Sequence, residues 1–529
     1  MTESPIDLAF GAFSSDPPWL VDPEQMPWRV GNDELRARTQ ARVPELIARP
    51  KIPPLRTALV AARLGRAVVP WAIRERKDRS DPEAIARLAP PLRAAFERLG
   101  TTFLKLGQVL ASADGMLPAP LVEEFKSCRD QVAPEPFSHV REVVEADLGR
   151  PLEAVFASFD REPIAAASIA QVHAARLHDG TDVVVKVQRP GIDRIVGDDL
   201  AAMAWVAPIL EKRAPQASLA NIPAYVELFA ETILEELDFR LEAQNMLDIA
   251  AVLADTGHRS VIVPRPHPEL VTRRVLVMER LTGYKIDQDS EMVSAGVDPS
   301  PVFSALMVSF FEGALIYGVF HGDLHGGNMI VTPDGRPGLF DFGITGRLST
   351  DARRALLSLM AGSSARDVRA QMEAFRDLGG FPADADLDRI ADELNVEELQ
   401  AMAPAEMEPE EMAAQMRDLV TKLVSYGARL PKDLFLFIKG MVYLNGAIAT
   451  LAADVDIMAE MATVSQHFIS AHGERLVNEF GIELSSVEFN ADVMKERVKA
   501  QTGADVGESL TYREMQELQA QQRDRMRRR

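Results

Sequence analysis

Apolar positions along the chain follow two spacings, and the changes between them divide the sequence. Residues 84–160 and 198–251 carry apolar side chains at helical spacing, as does most of the chain after residue 298. Residues 164–177 and 183–187 are short β-type runs that flank an Asp-Gly turn, which is the signal of a hairpin. The pattern therefore predicts a largely helical protein with a small β-rich region.

Further short strands are predicted at 261–264 and 274–279, and a second hairpin where MIV and GLF flank the turn PDGRPG. The apolar segment 302–320 carries one charge, Glu312, and has a borderline length for a membrane span. The polar sequence HGDLHGGN follows it at once and does not suit a lipid boundary. We therefore interpret the segment as a helix buried in a large domain.

Composition and charge narrow the class of protein. The 529 residues are 47% apolar and 26% charged, which allows a large core and excludes wholesale disorder. The net charge of −21 and the lack of a nucleic-acid-binding signature exclude nucleic acid as a partner of the whole surface. The single cysteine, Cys128, excludes a disulfide within the chain. With no secretory signal in the first 20 residues, a cytoplasmic protein is predicted, soluble or peripheral at the inner face of the membrane.

Charge is segregated along the chain. Residues 29–79 hold 13 Lys and Arg against five acids, whereas residues 382–418 hold 12 acids and two arginines, at a spacing typical of exposed acidic helices. The basic segment has two interpretations, a patch for an anionic membrane surface or a partner, and a solvated helix face. The second is favoured because Val60 interrupts the stripe of arginines and Pro70 is expected to break the helix.

The strongest chemical signal is HGDLHGGN followed by LFDFG, which places Asp323, Asn328 and Asp341 in one order. Phosphoryl transfer needs a carboxylate that orients or deprotonates the attacking hydroxyl, here Asp323. It also needs an amide oxygen and a second carboxylate for Mg²⁺, here Asn328 and Asp341. His321 and His325 lie four apart, as in some metal sites, but the glycines between and after them favour a loop, and we expect both histidines to be structural.

Lys186 stands in the middle of the predicted strand VVVKV, where a buried lysine is costly unless it is paired. In a kinase lobe such a lysine contacts the α- and β-phosphates and pairs with a helix glutamate. The candidate partners in EELDFRLEAQN are Glu236, Asp238 and Glu242. Glu279, with the arginine that follows it, marks the predicted hinge whose backbone contacts adenine.

The glycine-rich loop that normally covers the phosphates is absent where it should be. The sequence PIAAASIAQVH stands in its place, with Ala165, Ala166, Ala167 and Ser168 as candidate nucleotide-binding residues. Alanine still permits a close approach to phosphate but restricts positive φ, so the loop should be stiffer than a glycine version. Nucleotide affinity and phosphate geometry should therefore differ from those of an ordinary protein kinase.

With these motifs, the sequence resembles the UbiB/aarF-domain family of atypical kinases, which is linked to coenzyme Q biosynthesis. The resemblance is firm over residues 85–345 and rests on six motifs: FLKLGQ, AAASIAQVH, VVVKVQRPG, EELDFRLEAQN, HGDLHGGN and DFG. It implies an α+β, protein-kinase-like two-lobed fold with a family-specific N-terminal helical extension and a mostly helical C-lobe.

The resemblance also implies roles. Lys105 and Gln108 of FLKLGQ would lie on the helical extension over the active site, where Lys105 would meet Glu236 and Asp238, and Glu242 would pair with Lys186. ATP and Mg²⁺ would be the cofactors, and an ATPase or a lipid or small-molecule kinase would support quinone or isoprenoid-lipid biosynthesis. A lipid or quinone precursor and quinone-biosynthesis enzymes are the implied partners.

The chain is expected to divide into five parts: 1–83 (N-terminal extension with the basic segment), 84–160 (helical K-x-G-Q extension), 161–281 (N-lobe with an insertion), 282–460 (C-lobe) and 461–529 (helical tail). Two other functions stay open. One is a small-molecule phosphotransferase of the aminoglycoside or choline kinase type, which uses a similar HGDLxxxN loop. The other is a nucleotide-dependent scaffold for lipids and enzymes with negligible turnover.

Overall fold

The structure is a computed structural model of the full chain. It describes residues 13–14, 18–20, 22–48, 52–75, 82–111, 118–127, 133–213, 222–256, 260–286, 292, 294–365, 367–394, 422–423, 426–428, 431–451 and 453–528. The sequence EEMAAQM, predicted as an exposed acidic helix, and Cys128 lie outside the described residues, as do Arg76, Lys77 and Arg79 of the basic segment.

A six-stranded antiparallel sheet forms the N-lobe. Its strands are β1 (Phe156–Phe159), β2 (Ala165–Ala166), β3 (Ala170–Leu177), β4 (Asp182–Gln188), β5 (Pro266–Val271) and β6 (Val275–Glu279). They run in the order β1-β3-β4-β6-β5, with β2 beside β3. The predicted Asp-Gly hairpin joins β3 and β4, and Gly180 supplies the positive φ of 92° that the turn requires.

The first five helices of the chain are α1 (Asn32–Ala48), α2 (Pro54–Arg74), α3 (Pro82–Leu99), α4 (Thr101–Ala111) and α5 (Ala119–Phe125). Then come α6 (Phe137–Leu148), α7 (Leu152–Val155), α8 (Ile192–Arg213), α9 (Ile222–Glu235) and α10 (Phe239–Asp255). Helices α8 and α9 fill the long interval between Lys186 and Glu242, where the sequence indicates an insertion. Alternation along β4 puts Val183, Val185 and Val187 into the core beneath α6, and leaves Lys186 on the opposite face, toward α10.

The C-lobe begins with α11 (Pro299–Phe311), which continues into a π-helix (Glu312–Tyr317). Short strands form two small sheets: β7 (Tyr284–Lys285), which precedes α11, and β10 (Pro337–Leu339) flank β9 (Met329–Val331), and β8 (Val319–His321) pairs with β11 (Thr345–Arg347). The predicted hairpin of MIV and GLF is confirmed as β9 and β10. Gly283, just before β7, lets the backbone approach β9 closely, because a Cβ at this position would lie 2.3 Å from the carbonyl oxygen of Val331.

Helices complete the chain: α12 (Thr350–Ala365), α13 (Val368–Asp377), α14 (Leu387–Leu394), α15 (Lys432–Leu451), α16 (Ile457–Asn478), α17 (Leu484–Val487), α18 (Ala491–Thr502) and α19 (Tyr512–Arg528). The apolar segment after Pro299 is long and apolar enough to cross a bilayer by length and composition, and 61% of that stretch is buried inside the protein. Phe303, Leu306 and Phe310 are buried in the main core, which confirms the prediction of a core helix.

Two local predictions were wrong. Residues 261–264 form no strand; Ile262 makes one isolated bridge to Gly338, and the strand lies at β5 instead. This strand contains Pro266 and another proline, and it is tolerated because β5 is at the sheet edge, where a missing N–H breaks no ladder. Pro70 does not end α2, which runs on to Arg74. It is exposed and in the last turns, where water can satisfy the carbonyl that loses its partner.

The described part of residues 13–29, here called the N-terminal strap, lies against β5. The indole nitrogen of Trp19 donates to the carbonyl of Pro266 at 3.0 Å, and that of Trp28 to the carbonyl of His267 at 3.3 Å. Phe13 is buried beneath the guanidinium of Arg265, 5.0 Å from the ring centroid. The strap thus covers the edge of the N-lobe sheet that leads to the hinge.

Candidate active site

Lys186 lies at the centre of the cleft between the lobes. Its Nζ is 2.7 Å from Oε1 of Glu242, in the first turn of α10, and 2.9 Å from Oδ1 of Asp341. The lysine and glutamate side chains are 12% and 3% exposed, whereas the aspartate side chain is 39% exposed. The structure therefore brings together three of the residues singled out in the sequence, and the aspartate is the member open to a ligand.

Asp341 has a strained backbone. Its φ of 56° is the one positive value of a non-glycine among the residues that the structure describes, and such strain concentrates at functional sites. The neighbouring residues hold the loop: the Asn245 amide donates to the Phe342 carbonyl at 2.9 Å, and the Phe340 carbonyl accepts from His321 Nε2 at 2.9 Å. Helix α10 therefore carries both Glu242 and the support of the DFG segment.

The HGDLHGGN sequence, here called the catalytic loop, is held in place by hydrogen bonds to backbone groups. The Asn328 amide nitrogen donates to the Asp323 carbonyl at 3.1 Å, which commits the nitrogen to the loop and keeps the oxygen as the candidate metal ligand. The Phe340 N–H donates to the Asn328 carbonyl at 2.8 Å, so this residue lies beside the DFG segment. His321 and His325 brace the loop through hydrogen bonds to backbone groups, as expected of structural histidines.

Lys439 was missed by sequence reasoning. It comes from α15, far downstream in the chain, and its Nζ lies 2.7 Å from Oδ1 of Asp323. Its side chain is 5% exposed and also faces the ring of Tyr443 at 5.6 Å. The lysine in FLFIKG stands in an otherwise apolar run, and that was the available signal, because a buried cation needs a partner anion.

The K-x-G-Q helix, α4, enters the same cleft. Lys105 Nζ lies 3.0 Å from Oε1 of Glu236, both side chains being nearly buried. Gln108 is half-buried on the same helix. The expected contact between Lys105 and Asp238 is wrong, because Asp238 caps α10 and holds Arg240 at 2.7 Å. The chain turns into α10 at this aspartate, and both carboxylate oxygens accept hydrogen bonds from Arg240.

Strand pairing with β3 and hydrogen bonds from Arg189 hold the alanine-rich loop in place. Ala165 and Ala166 pair with β3, and the Ala167 N–H donates to the Ala170 carbonyl at 2.8 Å. The Arg189 guanidinium donates to the Ala167 carbonyl at 3.0 Å and also contacts Glu135. Ser168 is buried, whereas Ala165 and Ala167 are exposed. The arginine that holds the loop was not predicted, and the stiffness expected from its alanines stays a prediction.

Glu279 occupies the predicted hinge, but its polar groups are engaged elsewhere. Its backbone N–H donates to the Arg265 carbonyl at 2.8 Å, and its buried carboxylate accepts from the Arg265 N–H and from the Ser14 hydroxyl. The N–H of Glu279 is therefore not the adenine donor. Any backbone donor for adenine falls to the residues that follow it.

Burial and charge set the protonation of the cleft. Burial works against the ionised form of Asp323, but Lys439 and Lys105 outweigh it and lower the pKa of this carboxyl to about 2. Burial likewise opposes the charge on Lys105, yet Glu236, Asp323 and Asp341 raise the pKa of its ammonium. An ionised base and a charged lysine therefore face each other at neutral pH.

The Lys186 group behaves differently at its two carboxylates. Burial raises the pKa of Glu242 to about 7, against the attraction of Lys186. Burial opposes ionisation of Asp341 as well, but Lys186 and Lys105 lower its pKa below the usual range. The open carboxylate is thus kept ionised, as a ligand for a hard cation must be.

The donor set fits Mg²⁺ and a nucleotide. The Asp341 carboxylate and the Asn328 amide oxygen are hard oxygen donors on two segments joined by the Phe340–Asn328 backbone hydrogen bond, and Lys186 is the cation that triphosphate oxygens require. Together with the two-lobed fold, these residues define a protein-kinase-like chain. The chain belongs to the ABC1/aarF atypical kinase-like family: residues 127–375 match the ABC1 atypical kinase-like domain, and the predicted resemblance is confirmed.

Relatives include an uncharacterized aarF domain-containing chloroplast protein kinase of Arabidopsis thaliana, 34% identical over 70% of this chain and 73% of that one. An uncharacterized protein of Mycobacterium tuberculosis is 36% identical over 69% and 75%. A probable protein kinase UbiB of Tolumonas auensis is 29% identical over 72% and 70%. A solved M. tuberculosis chain, in complex with erythromycin, covers 68% of this chain and 97% of that one at 23% identity and TM-score 0.40.

Proposed function

We propose that the protein is an atypical kinase or ATPase that binds Mg-ATP in the cleft between its lobes. The observation that carries this proposal is the Lys186 group, in which one ammonium lies within 3 Å of both Glu242 and Asp341. A buried lysine held by a helix glutamate, beside a strained and ionised DFG aspartate, is the arrangement that phosphoryl transfer uses.

Each residue has a distinct task in this proposal. Bound Mg²⁺ would neutralise phosphate charge, and Asn328 and Asp341 would hold it. Lys186 holds the α- and β-phosphates, and Glu242 keeps its ammonium in place. Asp323, which stays ionised because Lys439 lies beside it, orients the attacking hydroxyl or water and accepts its proton.

Lys105 makes the cleft unlike that of an ordinary kinase. Its ammonium is held by Glu236 and is attracted by Asp323 and Asp341. The family resemblance implies that the helix carrying this cation lies over the active site and blocks the access of a peptide substrate. The proposed acceptor is therefore water or a small or lipid hydroxyl compound, and a slow, nucleotide-dependent scaffold is the second candidate that this contact favours.

The pathway rests on the relatives. Among them are proteins named UbiB and ACTIVITY OF BC1 COMPLEX KINASE, and we place this chain in support of quinone or isoprenoid-lipid biosynthesis. Contact with a membrane surface is supported by α2, whose outward side chains include Leu55 and Ile73, 88% and 55% exposed, beside exposed arginines. Quinone-biosynthesis enzymes and a lipid or quinone precursor stay the proposed partners.

The test separates nucleotide binding from turnover. Asp341→Asn should abolish the thermal stabilisation by Mg-ATP, because binding to the folded state alone raises the melting temperature. Asp323→Asn should keep that stabilisation and lose ATP hydrolysis, measured with and without anionic vesicles and a phenolic head-group mimic. Asp351→Asn, at a side chain 89% exposed, is the matched control.

Each variant can contradict a different part of the proposal. Unchanged stabilisation in Asp341→Asn would count against the magnesium role. Unchanged hydrolysis in Asp323→Asn would remove the catalytic role. Stabilisation by Mg-ATP without hydrolysis in the wild type would favour the scaffold.

A further inference from the structure

A second cluster of ligand-type side chains lies outside the nucleotide cleft, in the C-lobe. Oε1 of Glu312 lies 2.7 Å from Nε2 of His467 and 2.7 Å from Nε2 of His472, and both histidines are on α16. One ligand atom from each residue lies within 4.8 Å of the others. Two imidazoles and one carboxylate thus converge on one point, although the carboxylate comes from the C-lobe and the imidazoles from the C-terminal tail.

The Glu312 carboxylate is buried, and burial of a charged group is energetically unfavourable. Glu312 is 1% exposed and is the single charge of the apolar segment 302–320. Burial of a carboxylate is unfavourable unless it is paired or coordinates a metal. It also opens the π-helix, a form that occurs mainly as single turns at functional sites. The two imidazoles at 2.7 Å are partners of this carboxylate, and a metal ion held by all three side chains would also compensate its charge.

The surroundings suit a metal ion. His472 is 8% exposed and has the rings of Phe468 and Tyr317 at 5.7 and 6.4 Å, so one side of the cluster is dry. The His467 side chain is 24% exposed, which leaves a route to solvent on the other side. Three protein ligands with one position open to water is the pattern of two-histidine, one-glutamate zinc sites.

We propose that Glu312, His467 and His472 bind one divalent transition-metal ion of the zinc type. Imidazole nitrogen with carboxylate oxygen suits zinc better than magnesium or calcium. Metal–ligand bonds of about 2.0–2.2 Å set tetrahedral ligand atoms about 3.3 Å apart. The present contacts of 2.7 Å are about 0.6 Å shorter than that spacing, so the ligand atoms must move apart when the ion binds.

Such an ion would join the C-terminal tail to the catalytic loop. The π-helix that begins at Glu312 leads directly into β8 and then to Asp323. Arg475 of α16 already donates to the Ile316 carbonyl at 3.1 Å, so this helix and the π-helix are in contact. Binding of the ion at this site does not depend on nucleotide binding.

The experiment measures metal on the full-length chain without a histidine tag. After chelator treatment and dialysis, Zn²⁺ is titrated by calorimetry and counted by elemental analysis, and Co²⁺ is added as a spectroscopic probe. We expect about one Zn²⁺ per chain and the intense visible absorption of tetrahedral Co²⁺. His472→Gln and Glu312→Gln should weaken Zn²⁺ binding at least tenfold and abolish the Co²⁺ spectrum.

Controls separate this site from the nucleotide cleft and from surface histidines. Asp341→Asn and His139→Gln, the latter at a side chain 50% exposed, should bind Zn²⁺ as the wild type does. If the buried variants fail to fold by circular dichroism, His467→Gln decides, because that ring is partly exposed. Absence of stoichiometric Zn²⁺ in the wild type, or equal binding in His467→Gln, would overturn the inference and leave a hydrogen-bonded triad.

Discussion

At the scale of single residues, the cleft is a balance of buried charges that the sequence showed only in part. Lys186, Asp323 and Asp341 stand in short motifs whose chemistry can be read directly, and the structure gathers them. Lys439 could not be found in this way, since its partner lies in another motif and long-range contacts leave no local pattern. Asp238 was misassigned because helix spacing does not reveal which carboxylate caps the helix.

Lys439 provides the prediction at this scale. Lys439→Met should lower the kcat of ATP hydrolysis by about 10²-fold, the usual cost of losing one fixed electrostatic partner at a reacting group. The reason is that the ammonium holds Asp323 ionised and in place, 2.7 Å away. The KM for ATP should change little, because the proposed site holds the nucleotide through Lys186 and Asp341 and not through Lys439.

Lys439→Arg is the matched control, since it keeps the charge, and it should retain more activity than Lys439→Met. The thermal stabilisation by Mg-ATP should survive in both variants. A Lys439→Met protein with wild-type kcat would show that the lysine has no part in turnover.

At the scale of elements, prediction succeeded where spacing was strong and failed where proline was present. The β3–β4 and β9–β10 hairpins follow from turn residues between β-type runs. The strand expected at 261–264 lies instead at β5, because register at a sheet edge depends on tertiary contacts and not on apolar runs. The strap across β5 could not be foreseen, as its two tryptophans show no periodicity.

The strap and β5 meet at His267, which gives a prediction on pH. Burial lowers the pKa of this imidazole to about 4, and its Nδ1 accepts the N–H groups of Glu269 and Leu270 at 3.1 Å. A histidine with a folded pKa below its unfolded value near 6.5 stabilises the fold fully above pH 6.5. That stability is lost as the pH falls toward 4, by about 3 kcal/mol at most.

Melting temperatures measured between pH 7 and pH 4 check this expectation. His267→Asn is the informative variant, because an asparagine oxygen can accept the same N–H groups but does not titrate. Its melting temperature should fall less over this range than that of the wild type. Parallel curves for the two proteins would rule out His267 as the source of the acid sensitivity.

At the scale of the whole molecule, the net charge is −21, but helix α2 carries arginines and apolar side chains and no acidic residue. Arg56 is turned inward, with Nη2 at 3.0 Å from Asp199 of α8, and so anchors the helix rather than serving a membrane. Leu55, Leu59 and Ile73 are 88%, 38% and 55% exposed on the outer side. These exposed apolar side chains support the proposed contact with a membrane surface, and a solvated helix face stays the alternative.

Vesicle binding tests this surface. The full-length protein should sediment with vesicles that contain anionic lipid, and less with neutral vesicles or at high salt, because Arg63 and Arg66 flank the apolar stripe. Leu55→Glu and Ile73→Glu should each weaken binding by about tenfold or more, since a leucine-sized side chain contributes about 1.5–3 kcal/mol when buried. Val477→Glu, at a residue 47% exposed on the tail helix α16, is the control and should bind as the wild type does. Equal loss in all three variants would point to a general effect of added negative charge, and no loss in any would leave α2 as a solvated helix.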